Sequence, residues 1–291
     1  MTRPAAPTIA YELHLPDERL TSVVFASPHS GRAYPEAFLR ASVLDERAIR
    51  SSEDAFVDLL LGGVIELGAP LLTGMAPRAY LDLNRGADEL DPAVVESALS
   101  FAHNPRIASG LGVIPRVVSG GRAIYRGKIA MSEARERIQT YWHPYHDRLR
   151  ALLSESRALF GQAILVDVHS MPHEAMETLA HRPGHRPEIV IGDRYGASAT
   201  GDIAEAVETA FRAQGFTVAR NAPFAGAYIV QTYGRPGIGQ HALQIEIDRK
   251  LYMDERTITP HGEFAPFKAR LQRVLADIAA IGGEVQKLAA E

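Results

Sequence analysis

The chain alternates between short apolar runs and longer amphipathic stretches. Runs rich in Val, Ile and Leu predict strands at 21–27, 69–85 (two short or one interrupted), 162–170, 188–196, 216–224, 227–234 and 241–249. A period of three to four residues predicts helices at 36–44, 51–68, 131–161, 201–215 and 263–285. Strands that alternate with long helices indicate an α/β protein, a three-layer α/β/α sandwich. The late run of strands indicates that the central sheet is mixed.

Local signals refine these elements. In the helix predicted at 51–68, Ser52 is expected to cap the start and Gly68 to end it. Residues 86–128 are rich in Gly, Pro and charge, which predicts a long functional loop region containing a small hairpin. Pro144 predicts a bend in the long helix. Since the chain shows neither an internal repeat nor a linker, residues 1–291 are expected to form a single domain.

Composition narrows the class of protein. The 291 residues are 46% hydrophobic and 23% charged, as in an ordinary globular protein, and the net charge of −4 disfavours a nucleic-acid binder. The absence of cysteine excludes disulfides, thiolate nucleophiles and Cys-ligated zinc. No secretory signal and no apolar run long enough for a membrane helix is present, so we expect a cytoplasmic enzyme. The sequence leaves a homo-oligomer open.

Two histidines follow the ends of predicted strands. His29 comes after the run VVFASP and His169 lies in AILVDVHS. The carboxyl ends of strands form the crevice where α/β sheets bind ligands, so both imidazoles are candidate ligands of a divalent metal, for which zinc fits best. Asp167 precedes His169 by two residues, points to the same side of the strand, and is expected to orient that imidazole. The alternative is that both histidines satisfy loop hydrogen bonds.

A catalytic zinc ion usually has a third protein ligand, often a carboxylate. Glu53, Asp54 and Asp58 are the candidates, because they open the segment after the first strand. The alternative is that these acids only stabilise a helix N-terminus.

Glu246 lies inside the apolar run ALQIEIDR, on the opposite face from its neighbours Ile245 and Ile247. A carboxylate at the floor of an active site can act as general base toward water. The alternative is an ion pair with Arg249 or another arginine.

Cationic and amide side chains cluster in APRAYLDLNRG, which contains Arg78, Asn84 and Arg85. Arginine forks bind carboxylates and polarise carbonyl oxygens. Arg116 and Arg126 in the loop region are further candidates, and solvated surface arginines are the alternative.

Other histidines are expected to lie outside the site. His143 and His146 have metal-like spacing, but their amphipathic helix favours packing or surface placement. The His-rich segment 173–185 is expected to lie near the site rather than in it.

These motifs together resemble a known family. In order and spacing, SPHSGRAYP, SEDAFVD, DLNRG, LVDVHSMP and QIEIDRKLYMDE resemble the N-formylglutamate amidohydrolases, over about residues 23–255. That family is similar in fold to the zinc carboxypeptidases and to the aspartoacylase group. Its members hydrolyse N-formyl-L-glutamate to L-glutamate and formate, a late step in one route of histidine degradation. The implied partner is a small acidic N-acyl amino acid.

The resemblance also implies roles for individual residues. His29, Asp54 and His169 would hold one divalent ion, for which Zn²⁺ fits best, and Glu246 would be the general base. Carboxypeptidase relatives carry an acidic ligand three residues after the first histidine, where this chain has Arg32.

The remaining roles implied concern the substrate. Arg78 would polarise the scissile carbonyl, and Asn84 and Arg85 would hold a substrate carboxylate. Since glutamate has two carboxylates, Arg116 or Arg249 would supply a second clamp.

Three alternatives remain at this point. The first is a related zinc deacylase for another N-acyl amino acid, or a carboxypeptidase-like peptidase. The second is a metal-free serine hydrolase, which the lack of a G-x-S-x-G elbow disfavours. The third is a non-catalytic binder of acidic metabolites.

Overall fold

The computed structural model describes residues 9–99, 104–176 and 186–283. Its strands are β1 (Tyr11–His14), β2 (Val23–Ser27), β3 (Leu71–Gly74), β4 (Val117–Val118), β5 (Arg122–Ala123), β6 (Ala163–Met171), β7 (Ile189–Gly192), β8 (Val218–Arg220), β9 (Gln240–Asp248), β10 (Met253–Asp254) and β11 (Thr259–Pro260). Seven of them form one sheet in the order β1-β3-β2-β6-β9-β7-β8. The pairs β4–β5 and β10–β11 are separate antiparallel ribbons, and the first is the hairpin predicted in the loop region.

The helices are α1 (Glu36–Ala41), α2 (Glu46–Ile49), α3 (Val57–Leu61), α4 (Pro105–Ala108), α5 (Met131–Arg137), α6 (His143–Phe160), α7 (Gly201–Ala213), α8 (Tyr228–Tyr233) and α9 (Phe264–Gly283). Helices lie on both sides of the sheet, as predicted for an α/β/α sandwich. In the sheet β2, β6 and β9 are parallel neighbours, whereas β7 runs antiparallel to β9. The sheet is therefore mixed, which confirms the prediction. No helix in the described part of the chain has the length and apolarity needed to cross a bilayer.

The long strands β6 and β9 divide their side chains between two faces. One face is apolar and joins the main hydrophobic core with α3, α7 and α9; from these two strands it receives Ile164, Val166, Val168, Leu243, Ile245 and Ile247. Successive side chains on a strand point to opposite faces. The intervening polar residues of β6 and β9 therefore share the other face, and the strand register places Glu246 beside His169. This alternation is what brings site residues together on a rigid support.

The described residues group into two compact units, each built from several chain segments. The larger unit, residues 13–28, 54–72, 149–176 and 186–283, holds most of the sheet. The smaller unit, residues 9–12, 29–53, 73–99 and 104–148, holds the β4–β5 hairpin and helices α1, α2, α4 and α5.

The predicted helix at 51–68 is wrong in its first third. Helix α3 begins only at Val57, after Phe56 with a left-handed φ of 67°. Ser52 does not cap this helix, because it is the last residue of a short 3₁₀ turn. From Gly62 to Leu67 the chain continues as a 3₁₀ helix, since two adjacent glycines weaken the α-helix. Gly68 ends the segment with φ 75°, as predicted.

One strand prediction is wrong and two are only partly right, because short apolar runs do not distinguish strand from helix. Residues 227–234 contain helix α8, whose N-cap residue Ala227 donates its N–H to the Gln244 side chain. In 69–85 only Leu71–Gly74 is a strand; beyond it Pro77 starts a turn in which its carbonyl accepts from Tyr80 and Leu81. Of the predicted strand 216–224 only β8 forms.

At the predicted bend near Pro144 the chain remains helical but widens. Residues Ile138–Trp142 form a π-helical turn between α5 and α6. Proline has no N–H for the carbonyl of Thr140 four residues earlier, and its ring crowds that carbonyl. A wider turn relieves this conflict without breaking the helix.

Candidate metal centre

Three buried side chains predicted as metal ligands lie together. Ligand atoms of His29, Asp54 and His169 are all within 4.8 Å of one another. His29 lies two residues beyond the end of β2, and His169 lies near the end of the neighbouring parallel strand β6. Asp54 precedes α3, in the irregular stretch before that helix begins. The parallel strands thus present both imidazoles at the same edge of the sheet.

His169 is held between two carboxylates. Its Nδ1 lies 2.9 Å from Asp54 Oδ2, and its Nε2 lies 2.9 Å from Asp167 Oδ2. The contact with Asp167 is the one expected from their two-residue spacing. Burial alone lowers the pKa of His169, but the adjacent Asp167 and Asp54 carboxylates outweigh it and raise the pKa well above its usual value. The site therefore favours positive charge at this position.

His29 has a carboxylate partner of its own, which sequence reasoning missed. Its Nε2 lies 2.7 Å from Asp82 Oδ1. Asp82 also accepts the backbone N–H of Asn84 at 2.8 Å and the Arg78 Nε–H at 3.2 Å. Burial by itself raises the pKa of Asp82, but His29, Arg85 and Arg78 together hold it well below its usual value. The available signal was the acidic residue of the DLNR segment itself, which was assigned no role.

Of the three acids considered as third ligand, Asp54 is the one in the cluster. Its Oδ1 also accepts from Ser170 Oγ at 3.2 Å and from Arg249 Nη2 at 3.2 Å. Glu53 instead accepts from the Arg50 guanidinium and, at 2.6 Å, from the Tyr34 hydroxyl. Burial, and then the Glu53 charge, raise the pKa of Tyr34, so that hydroxyl stays a donor. Asp58 lies in the first turn of α3 and is partly exposed.

Glu246 lies on the polar face of β9, next to His169 in the strand register, and is 8% exposed. Its Oε1 accepts a hydrogen bond of 2.7 Å from Gln244 Nε2. Because Gln244 Oε1 in turn accepts the N–H of Ala227, the orientation of the Gln244 amide is fixed. Arg249, considered as its ion-pair partner, donates to Asp54 and, at 3.0 Å, to Ser170.

The arginines of the DLNR region are held by hydrogen bonds to other parts of the protein. Arg78 donates to Asp82 and its side chain is 26% exposed. Arg85 is buried, and donates from Nε to Leu111 O and from Nη1 to Asn84 O. Its roles toward a substrate stay a prediction, but these contacts show that it also shapes the turn.

In the loop region Arg116 pairs with Asp91 at 2.9 Å and donates to Ala108 O, and its side chain is partly exposed. Its assignment as a substrate clamp stays a prediction as well.

The other histidines have structural partners. His146 is buried and bonds Leu83 O at 2.9 Å, so its predicted packing role is confirmed. His173 pairs with Asp248 at 2.7 Å. The rest of the His-rich segment, residues 177–185, lies outside the described residues.

Two imidazoles and one carboxylate make a donor set that suits a divalent cation such as zinc. Each histidine also has a buried carboxylate on its ring, the arrangement that fixes the tautomer and strengthens a metal-ligating imidazole. The acidic surplus around His169 is what a bound cation would neutralise. The residues present therefore fit a metal ion.

Comparison with known proteins agrees with this geometry. The sequence model described as N-formylglutamate amidohydrolase matches residues 21–253. N-formylglutamate deformylase of Pseudomonas aeruginosa is 29% identical over 272 residues, covering 92% of this chain and 92% of the relative. The protein of the same name from Pseudomonas putida is 28% identical over 271 residues, 90% of this chain and 94% of the relative.

Among solved structures, N-formylglutamate amidohydrolase from Ralstonia eutropha JMP134 superposes with a TM-score of 0.86. It is 34% identical, and the match covers 96% of this chain and 99% of that one. The resemblance noted in the sequence motifs is thereby confirmed over nearly the whole length. The chain belongs to the N-formylglutamate amidohydrolase family, and it is a hydrolase.

Proposed function

We propose that this protein is a metal-dependent amidohydrolase that converts N-formyl-L-glutamate and water to L-glutamate and formate. The observation that carries the proposal is the buried cluster of His29, Asp54 and His169 at the strand ends of a chain from this family. The names of the two curated relatives support the choice of substrate.

The metal would be held by His29, Asp54 and His169, with Asp82 and Asp167 orienting the two imidazoles. Zn²⁺ is the ion that best suits two imidazoles and one carboxylate. When bound, such an ion polarises a carbonyl and makes water a better nucleophile at neutral pH.

Glu246 supplies the proton transfers in this proposal. Its carboxylate takes a proton from the water that attacks the formyl carbon. It then delivers that proton to the amide nitrogen as the C–N bond breaks, so that formate and the free amine leave. The hydrogen bond from Gln244 holds the carboxylate in one orientation, on the same sheet face as His169.

Arginines neutralise the charge of the substrate and of the transition state. Arg78 keeps part of its guanidinium exposed and would donate to the oxygen that becomes negative when water adds. Asn84 and Arg85 would bind one glutamate carboxylate, and Arg116 or Arg249 the other. Local arginines of this kind suit a dianionic substrate in a protein whose net charge is −4.

The test combines metal analysis with a formate-release assay. We expect about one zinc ion per chain, release of formate from N-formyl-L-glutamate, loss of activity after chelation and recovery on adding Zn²⁺. N-acetyl- and N-succinyl-L-glutamate should be hydrolysed much more slowly. His169→Asn should lose zinc and activity, whereas His261→Asn, at a partly exposed histidine outside the cluster, should keep both.

Two results would contradict the proposal in different ways. Full activity in a metal-free protein would exclude the metal role while leaving the substrate standing. Faster hydrolysis of the acetyl or succinyl compound would keep the mechanism and change the substrate.

A further inference from the structure

We infer that the helix containing Arg137, Trp142 and His146 is a positioning element for the turn that carries the substrate-binding residues. The turn, residues 80–85, contains Asp82, the partner of His29. The inference rests on the proposed function in one respect, since it assigns Asn84 and Arg85 of this turn to substrate. Arg137, Trp142 and His146 are called the clamp residues below.

The clamp residues donate to three carbonyls of the turn. Arg137 Nη1 donates to Tyr80 O at 3.1 Å, His146 Nε2 to Leu83 O at 2.9 Å and Trp142 Nε1 to Arg85 O at 2.8 Å. Because a carbonyl only accepts, His146 carries its proton on Nε2 in this contact. The first, middle and last parts of the turn are therefore all tied to one helix.

These contacts are buried, which makes them costly to lose. All three clamp residues are buried, and the Arg137 side chain is 1% exposed. A turn has no ladder to satisfy its carbonyls, so a buried carbonyl there depends on side-chain donors. Arg137 is further fixed by Tyr125 Oη at 2.7 Å and by the face of the Tyr80 ring, 4.0 Å from the guanidinium carbon.

The π-helical turn explains how one helix presents all three donors. In a regular α-helix, residues five apart such as Arg137 and Trp142 point about 140° away from each other. In the wider turn at Ile138–Trp142 an N–H bonds the carbonyl five residues back, as His143 N–H does to Ile138 O, which brings Arg137 and Trp142 closer to the same side. Trp142 and His146 are four apart and share a side in any case. The wider turn that accommodates Pro144 therefore also aligns the three donors of the clamp residues.

The clamp also links this helix to the candidate metal centre through the turn. Asp82 Oδ1 accepts from both His29 and the Asn84 backbone, so one carboxylate joins the turn to the metal centre. Side chains that bind substrate need their geometry fixed to within about half an ångström. We therefore expect loosening of the clamp to weaken substrate binding more than turnover.

The test compares His146→Leu with His146→Gln. Glutamine places an amide N–H close to the position of the histidine Nε2–H, whereas leucine has no donor. We expect the leucine variant to raise KM for N-formyl-L-glutamate about 5- to 20-fold, with kcat within about threefold and zinc content unchanged. Glutamine should restore KM to within about threefold of the wild type.

Trp142→Phe removes the second donor and keeps an aromatic ring, and it should raise KM by a similar factor. Leu152→Ala is the control, because it opens a cavity on the same helix farther from the turn. A KM increase in the clamp variants no larger than in Leu152→Ala at equal loss of Tm would overturn the inference. So would an equal KM for His146→Leu and His146→Gln.

A second measurement does not depend on the substrate. Hydrogen exchange of the amides of Asp82 and Asn84, which bond Val113 O and Asp82 Oδ1, should speed up in His146→Leu and Trp142→Phe but not in Leu152→Ala. Unchanged exchange would refute the clamp even in an active enzyme. Faster exchange in a protein that releases no formate would support the clamp and refute the proposed function.

Trp142 is the only tryptophan of the chain, so its fluorescence reports on this contact. Glu246→Gln is expected to bind substrate without rapid turnover, and in this variant N-formyl-L-glutamate should change the emission. Addition of His146→Leu should weaken the apparent affinity in that titration by the same factor as KM.

Discussion

Removing the charge of Asp167 tests how the candidate metal centre depends on the carboxylates behind its histidines. Asp167→Asn keeps the shape of the side chain, and its carbonyl oxygen can still accept from His169 Nε2. Only the negative charge is lost. Asp167 is fully buried, so water cannot replace that charge.

The expected effect follows from the 2.9 Å separation of Asp167 Oδ2 and His169 Nε2. A histidine that binds a metal is neutral, so the carboxylate acts by accepting the ring N–H, fixing the tautomer and making the other ring nitrogen a stronger ligand. Carboxylates that support metal-ligating histidines typically contribute about 10- to 100-fold in metal affinity, or about 1.4–2.7 kcal/mol. We expect the upper half of that range.

The assay is competition for Zn²⁺ against a chelator of known affinity at a fixed pH. Asp193→Asn is the matched control, since Asp193 is also a buried carboxylate but pairs with Arg220 and Asn221. It should lower stability and leave zinc affinity unchanged. If the Zn²⁺ affinity of Asp167→Asn is within twofold of that of Asp193→Asn, the charge of Asp167 does not strengthen metal binding by His169.

Three further predictions concern catalysis, packing and pH. Glu246→Gln should lower kcat by about 10²–10⁴ in the formate assay with zinc retained, and turnover near wild type would contradict its role as base. Gly31→Ala should lower the free energy of unfolding, measured with denaturant, by about 1–3 kcal/mol, because the new Cβ would lie 2.5 Å from Ala76 O. Gly127→Ala, whose Cβ would have nothing within 4 Å, should lower it by less than half as much. Burial lowers the pKa of His241, so the unfolded chain binds its proton at a higher pH than the fold does, and stability falls as pH drops below about 6.5. His241→Gln should therefore flatten the fall of Tm between about pH 7.5 and 5, and equal slopes would exclude this account.

The central strands were predictable because their signal is local. β6 and β9 are dense in Val, Ile and Leu, and the polar residues recur at every second position, which fixes the face they share. His169, Glu246 and Asp167 followed from that pattern. Helix α8 was not predictable in this way, because its Tyr, Ile, Val and Thr residues have strand propensity. Its position depends on contacts such as the hydrogen bond from Ala227 to Gln244.

Side-chain contacts between residues that are distant in sequence could not be predicted. Asp82 meets His29 across 53 residues, and no spacing rule connects a turn to a strand end. The choice between Glu53 and Asp54 was equally hidden, because it depends on where Arg50 and Tyr34 lie. Sequence periodicity predicts faces of elements, but not which loops fold back onto them.

The two-residue alternation on β6 and β9 has a consequence for how this protein can change. The same nine-residue strands supply side chains to both the hydrophobic core and the polar face of the site. Inserting or deleting one residue would therefore exchange the core-facing and site-facing side chains beyond that point. Stability and chemistry would then fail together. Directed evolution aimed at new substrates should therefore randomise the connecting segments and leave both strands untouched.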